Sequence, residues 1–382
     1  MTELHLPGIG AYRMAEPAEP FLPAGPAVSR SVFAAAHVVA DPLGDNAPGA
    51  PAAVDWESTL AFRHHLWSLG LGVADAMDTA QRGMGLDWAA TQELITRSGA
   101  EARAVGGRLA CGVGTDQLAD AESSLPEILA AYEQQLEVVE QAGAQPVLMA
   151  SRALAAAAVD PEDYLRLYGR LIGQARQPVI LHWLGEMFDP ALTGYWGSAD
   201  LDLATETVLA LVKEHAAGID GIKVSLLDAD REIALRRALP EGVRLYTGDD
   251  FNYPELIRGD EHGHSHALLG VFDPIAAKAA AALHALDAGD LDRYDALLAP
   301  TLPLARHLFA APTFHYKTGI VFLAWLAGHQ DHFTMVAGAQ SGRSVPHLVE
   351  LFRLADAAGV LPDPDLAADR MRRFLAVTAP TG

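Results

Sequence analysis

From about residue 31 onward, apolar runs of about five residues alternate with amphipathic stretches of about fifteen, the rhythm of repeated strand–helix units. The apolar runs predict strands over 33–40 (FAAAHVVA), 71–76 (LGVADA), 108–113 (RLACGV), 146–150 (PVLMA), 178–183 (PVILHW), 220–225 (DGIKVS), 243–247 (VRLYT) and 266–271 (HALLGV). Between them the amphipathic stretches predict helices. Asp55 opens one that runs to about Leu69 and stops at Gly70, and another begins at Asp87 and ends near residue 105. A third is opened by Ser124 and Pro126 and closed by Gly143, and further helices are expected over 161–175, 201–217 and 274–287.

Eight strands of this kind predict an α/β fold, a (β/α)8 TIM barrel spanning 31–290. An open doubly wound sheet would carry a glycine-rich phosphate loop after its first strand, and the sequence has none. Residues 1–30, rich in Pro, Gly and Ala, are expected to form an extended N-terminal arm. After residue 290 only helical patterns follow (291–299, 303–310, 316–328, 344–358, 364–376), punctuated by Pro300, Pro303, Pro312 and Pro346. They predict a C-terminal helical extension, 291–382, packed on the barrel.

Composition narrows the partners. A chain of 382 residues with 50% hydrophobic and 20% charged residues has ample material for a core. Its formal net charge of −22 argues against nucleic acid or an anionic membrane, either of which needs a basic face, and leaves a small metabolite as the expected partner. Cys111 is the single cysteine, so no internal disulfide or cysteine-rich zinc site is available. With no long apolar run and no signal-like N-terminus, a cytoplasmic location is expected. Only four of the 27 basic residues are lysines (Lys213, Lys223, Lys278 and Lys317). Each stands where arginine has not replaced it, and arginine can neither lose its proton nor form an imine.

Barrel active sites lie at the C-terminal ends of strands. That rule selects Asp75, Asp78 and Arg82 after the second strand and His182, Glu186 and Asp189 on and after the fifth. It also selects Lys223 and Ser225 on the sixth strand, and Thr247, Asp249 and Asp250 at the end of the seventh. In GIKVSLL, strand alternation sets Ile222 and Val224 on one face and Lys223 on the other, toward the barrel interior. Burial there lowers the pKa of the amine and frees its lone pair to attack a carbonyl. The same placement also suits a lysine that only neutralises Asp249 or Asp250. His182, on the adjacent strand, is either a proton carrier or a core histidine. In the loop 189–200, Tyr195 and Trp196 either stack on substrate or pack the loop onto the rim. HGHSH (His262, His264, His266) precedes the eighth strand, at the end of the barrel away from chemistry, and is expected to be a solvated turn. Lys317 is expected to make a structural ion pair. No HExxH, Walker loop, CxxC or GxSxG occurs.

Taken in order, these segments resemble the dihydrodipicolinate synthase / N-acetylneuraminate lyase superfamily, and more closely a bacterial branch of it of unknown function. PVILHW resembles the fifth-strand segment and GIKVS the segment carrying the Schiff-base lysine, which falls on Lys223. LYTGDD (245–250) resembles the following Ser-Gly-Asp-Asp turn, LFAAPTFHYKTGIVFLAWLAG (308–328) the proline-then-lysine helix start, and SGR (341–343) the late Ser-Gly-Arg turn. The resemblance covers about 31–360. It implies a class I, Schiff-base lyase that assembles as a dimer or tetramer. The family's catalytic tyrosine falls on His182. Its carboxylate-holding Thr-Thr-Gly-Glu loop falls on Asp78-Thr79-Ala80-Gln81, where only Thr79 matches and Arg82 is a substitute clamp. The loop after the fifth strand is also longer than usual. These departures argue against lysine biosynthesis and sialic acid cleavage, and point to a neutral or differently charged carbonyl substrate such as a keto-sugar derivative.

The expected mechanism is therefore an aldolase or dehydratase acting on a keto-acid or keto-sugar derivative. Lys223 forms the imine and His182 moves the proton. Asp78, Thr79, Arg82, Ser225, Thr247, Asp249 and Asp250 contact substrate, Tyr195 and Trp196 cover it, and no metal or other cofactor is needed. Two alternatives stand beside it. One is a divalent-metal enzyme on a sugar-like substrate, using His37, His182, Asp75, Asp78 and Asp249. The other is a non-catalytic ligand-binding protein on the same fold.

Overall fold

The computed structural model describes residues 2–17, 19–118 and 123–378; residues 1, 18 and 379–382 of the expected arm and extension lie outside them. The chain starts with an antiparallel hairpin, β1 (Glu3–Leu6) and β2 (Gly10–Arg13). Eight parallel strands follow: β3 (Val32–Ala35), β4 (Gly72–Asp75), β5 (Leu109–Val113), β6 (Gln145–Leu148), β7 (Val179–Leu184), β8 (Ile219–Ser225), β9 (Arg244–Thr247) and β10 (His266–Leu269). They pair in sequence order, and β10 returns to β3 to close the barrel, as the apolar rhythm predicts.

The helices begin where short polar side chains can cap them. Asp55 accepts from Ser58 N ahead of α1 (Trp56–Ser68), and Asp87 from Ala90 N ahead of α2 (Trp88–Val105). Ser124 forms a capping box with Glu127 at α3 (Leu125–Gln141). After the short α4 (Arg152–Ala157), Asp160, Asp200 and Asp228 cap α5 (Pro161–Gln174), α6 (Leu201–Glu214) and α7 (Ala229–Ala238) in the same way. Part of the acidic excess is thus spent on helix N-termini, where the macrodipole favours negative charge. The hairpin, the short helices α4 and α8 (Tyr253–Arg258), and α7 were not foreseen. The hairpin lies within the arm, where Leu4 and Leu6 are buried, and α7 (ADREIALRRA) is too charged to register as amphipathic.

After α8 (Tyr253–Arg258) and α9 (Ala276–Asp287) come the C-terminal helices α10 (Leu291–Leu298), α11 (Thr301–Leu308), α12 (Tyr316–Leu326), α13 (Val345–Ala357) and α14 (Pro364–Thr378). All of α12 is buried. The hairpin is tied to this layer: Tyr12 Oη donates to Asp356 at 2.7 Å and Arg372 donates to Glu3 O. Inside the barrel, Phe33, Ala35, Ala74, Ala110, Val147, Ile180, Tyr246 and Leu268 form a separate apolar core. Among the described residues, no helix is long and apolar enough to cross a membrane.

Candidate active site

On β8 the inward positions are Gly221, Lys223 and Ser225. Gly221 is small because Tyr246 fills the barrel beneath Lys223: a Cβ on Gly221 would stand 2.7 Å from the Tyr246 ring. Lys223 is paired in register with His182 on β7 and Tyr246 on β9. It is only 8% exposed, yet among the described residues it has neither a hydrogen bond nor a carboxylate within ion-pair distance. Burial pulls its pKa below the ordinary lysine value, opposed by Asp78 and Asp250. Gly248, just past β9, packs against the lysine stem: a Cβ there would meet Ser225 Oγ at 2.2 Å and Lys223 Cε at 2.9 Å.

Asp250 is buried in the next turn, and one of its oxygens accepts from Val271 N at 2.8 Å. Burial pushes its carboxyl up to about 7; the Val271 amide and Lys223 pull the other way. Beyond Val271, the path reaches Gly270 at the end of β10, whose Cβ would stand 3.4 Å from both Thr79 Oγ1 and the Tyr316 ring. Those two hydroxyls are hydrogen-bonded at 2.9 Å. Tyr316, the first residue of α12, is buried against Phe309, and burial holds its phenol well above the usual tyrosine range. Next to this chain opens a cavity of about 220 Å³, lined by Asp78, Thr115, Ser151, Arg152, Tyr316 and Lys317 among others.

Lys223, His182, Ser225, Asp78, Thr79 and Asp250 therefore gather at the C-terminal mouth of the barrel, but other expected site residues do not. Thr247 lies next to inward-facing Tyr246 and so faces outward, donating to Glu232 at 2.9 Å. Asp249 is taken up by its own turn, accepting from Phe251 N, Asn252 N and Asn252 Nδ2. Tyr195 and Trp196 are fully packed against Tyr164 and Tyr168, and Tyr195 Oη accepts from Ser151 N, so neither covers the mouth. Arg82 borders the cavity, but all five of its N–H groups are engaged by Asp116, Gln135 and the carbonyls of Ala76 and Gly112, leaving no fork for a substrate carboxylate. His182 is wholly enclosed. Its Nε2 lies 3.3 Å from Ser225 Oγ, its Nδ1 has no partner among the described residues, and burial together with Lys223 keeps the ring neutral.

Lys317 also departs from expectation. It makes no ion pair among the described residues; its Nζ donates to Phe314 O at 3.3 Å and sits 4.1 Å from the Phe314 ring centre. The proposed metal donors disperse. Asp75 turns outward to Arg63 at 2.8 Å and His37 to Asp273 at 2.7 Å, and among the described residues no three His, Cys, Asp or Glu side chains are grouped to hold an ion. The histidines of HGHSH lie at the opposite end of the barrel, as expected, but they are not all a solvated turn: only His262 is exposed, His264 is half-buried, and His266 opens β10 and accepts from Ser31 N. Sequence reasoning missed Tyr316, Arg152, Thr115 and Ser151. For Lys317 a signal existed in the scarcity of lysine and in the proline-then-lysine segment.

This barrel superposes on solved structures of low sequence identity. One is YagE, a prophage protein of the dihydrodipicolinic acid synthase family from E. coli K12, in complex with pyruvate. The match has TM-score 0.67 and 15% identity, covering 87% of this chain and 100% of that one. Dihydrodipicolinate synthase from Aquifex aeolicus matches with TM-score 0.66 and 12% identity over 87% of this chain and 99% of that one. The chloride-inhibited Acinetobacter baumannii enzyme, complexed with pyruvate, matches with TM-score 0.65 and 17% identity over 87% and 100%. No curated protein sequence matches this chain. At these identities the shared property is the fold. A family profile, in contrast, matches residues 6–379, nearly the whole chain, and by that match the protein belongs to the family described as protein of unknown function (DUF993).

Proposed function

We propose that this protein is a class I lyase of the aldolase or dehydratase type, acting on a keto-acid or keto-sugar derivative through an imine on Lys223. The observation that carries the reading is a single one: a buried lysine amine, without an ion pair among the described residues, facing the barrel interior at the mouth where such folds do chemistry. Two of the structurally similar proteins hold pyruvate, itself a ketone.

The neutral Lys223 amine attacks the ketone carbon, and loss of water from the carbinolamine leaves a protonated imine. That cation accepts the electron pair released when the neighbouring C–C bond breaks, or when a proton leaves before water is eliminated. Asp250, poised near neutrality, is suited to take and return that proton. The Thr79–Tyr316 hydroxyl pair offers a donor to a developing oxyanion. His182 supports Ser225 and the lysine from behind, not as the exposed shuttle. Borohydride treatment with a panel of keto-acids and keto-sugars is expected to leave a reduced adduct on Lys223. Equal labelling of Lys223→Arg protein would refute the mechanism, and binding without any adduct would favour a non-catalytic ligand-binding protein.

A further inference from the structure

Lys317 stands out among the groups that the proposed reaction leaves unused. It is 2% exposed, borders the cavity, and spends one N–H on a long bond to a backbone carbonyl while its charge lies over the rings of Phe314 and Tyr316, 4.1 and 5.0 Å away. A buried ammonium with so few acceptors is costly, and a methionine would fill the same space without the charge. Of the other charged groups of the lining, two cations are paired with carboxylates, and Asp78 makes no ion pair among the described residues. Arg82 binds Asp116, and Arg152 holds Asp189 at 2.6 Å, which also accepts from Ala191 N. Thr115 and Ser151 add two buried hydroxyls, 2.6 Å apart. The cavity and the imine site share neighbours: Asp78, on the cavity wall, acts on both lysines, and Tyr316, also on that wall, is bonded to Thr79.

We infer that this cavity is an anion subsite, in which Lys317, brought in by the C-terminal helical layer, holds the carboxylate or phosphate end of the ketone whose carbonyl meets Lys223. The inference rests on the imine reading for the identity of the ketone, but not for the binding of the anion. It also accounts for an Asp at position 78. The negative end of the substrate is taken up beyond this loop, and Asp78 is left to a hydroxyl between the two ends. The substrate class is thereby narrowed to ketones whose anionic group lies several atoms from the carbonyl.

The test separates the two readings by working first in Lys223→Met protein, which forms no imine. Calorimetric titration with levulinate and with inorganic phosphate is expected to show binding, the tighter of the two naming the end group. Adding Lys317→Met should weaken it by about tenfold or more, the loss expected when a charge-assisted hydrogen bond to a buried cation goes. Binding of methyl propyl ketone, the uncharged counterpart, should not change. Lys317→Gln serves as a second variant with the same expected order, should the methionine fail to fold. In otherwise unaltered protein, borohydride trapping of levulinate on Lys223 should require a correspondingly higher concentration when Lys317 is replaced. Absence of anion binding, or equal weakening of the charged and uncharged ligands, overturns the subsite. Anion binding that depends on Lys317 with no adduct on Lys223 upholds the subsite and overturns the imine.

Discussion

The reactivity of Lys223 is set by three groups that pull in different directions. Burial removes water from the ammonium and lowers the amine pKa, while Asp78 and Asp250 raise it again. Asp250 is itself held up to about 7, so above neutrality it becomes an anion that acts on the amine from beyond ion-pair distance and favours the protonated lysine. Only the unprotonated amine attacks a ketone, so the rate of adduct formation should rise with pH through the lysine pKa and then level off. Asp250→Asn keeps an acceptor for Val271 N but cannot ionise. The rising limb of the trapping profile should therefore move to lower pH in that variant. A limb that stays in place would mean that the carboxyl and the amine are not coupled.

At the scale of elements, the lysine is held by the close approach of β8 to the turn after β9. Gly248 is what allows it. A methyl group there would overlap Ser225 Oγ and crowd Val224 O at 2.8 Å as well as the lysine stem. Gly248→Ala should cost about 1–3 kcal/mol in urea unfolding, the range for overpacking, and strongly slow trapping. Gly270→Ala, with its nearest contact at 3.1 Å, should be milder in both. The eight strands were legible because parallel strands covered on both faces read as near-continuous apolar runs. Lys223 was legible because it breaks such a run at an inward position. The same period of two, applied to Tyr246 and Thr247, would have turned Thr247 away from the site. The charged α7 and the four-residue strands of the hairpin carry too little pattern to be read. Tyr316 and Lys317 were hidden for a different reason. They reach the barrel mouth only through the docking of α12, which no local periodicity records.

The whole molecule sets a condition on how an anionic ketone arrives. The formal net charge is −22, and although Asp55, Asp87, Asp160, Asp200 and Asp228 are committed to helix N-termini, their charge still contributes to the long-range field. The attractive charge on Lys317 is a single one against that excess, so an approaching carboxylate meets net repulsion first and attraction only inside the cavity. Salt should act unequally on the two. Between about 0.01 and about 0.15 M ionic strength the screening length falls from roughly 30 to roughly 8 Å, which removes most of the distant repulsion but little of the contact with a buried cation. The initial rate of levulinate trapping on Lys223 at low substrate should therefore rise several-fold over that range, while the rate for methyl propyl ketone stays flat. Stopped quench assays with the two ketones at matched concentrations would measure it. A levulinate rate that falls with salt would mean that the carboxylate is drawn in by exposed cations on the surface, and not by the buried lysine of the C-terminal layer.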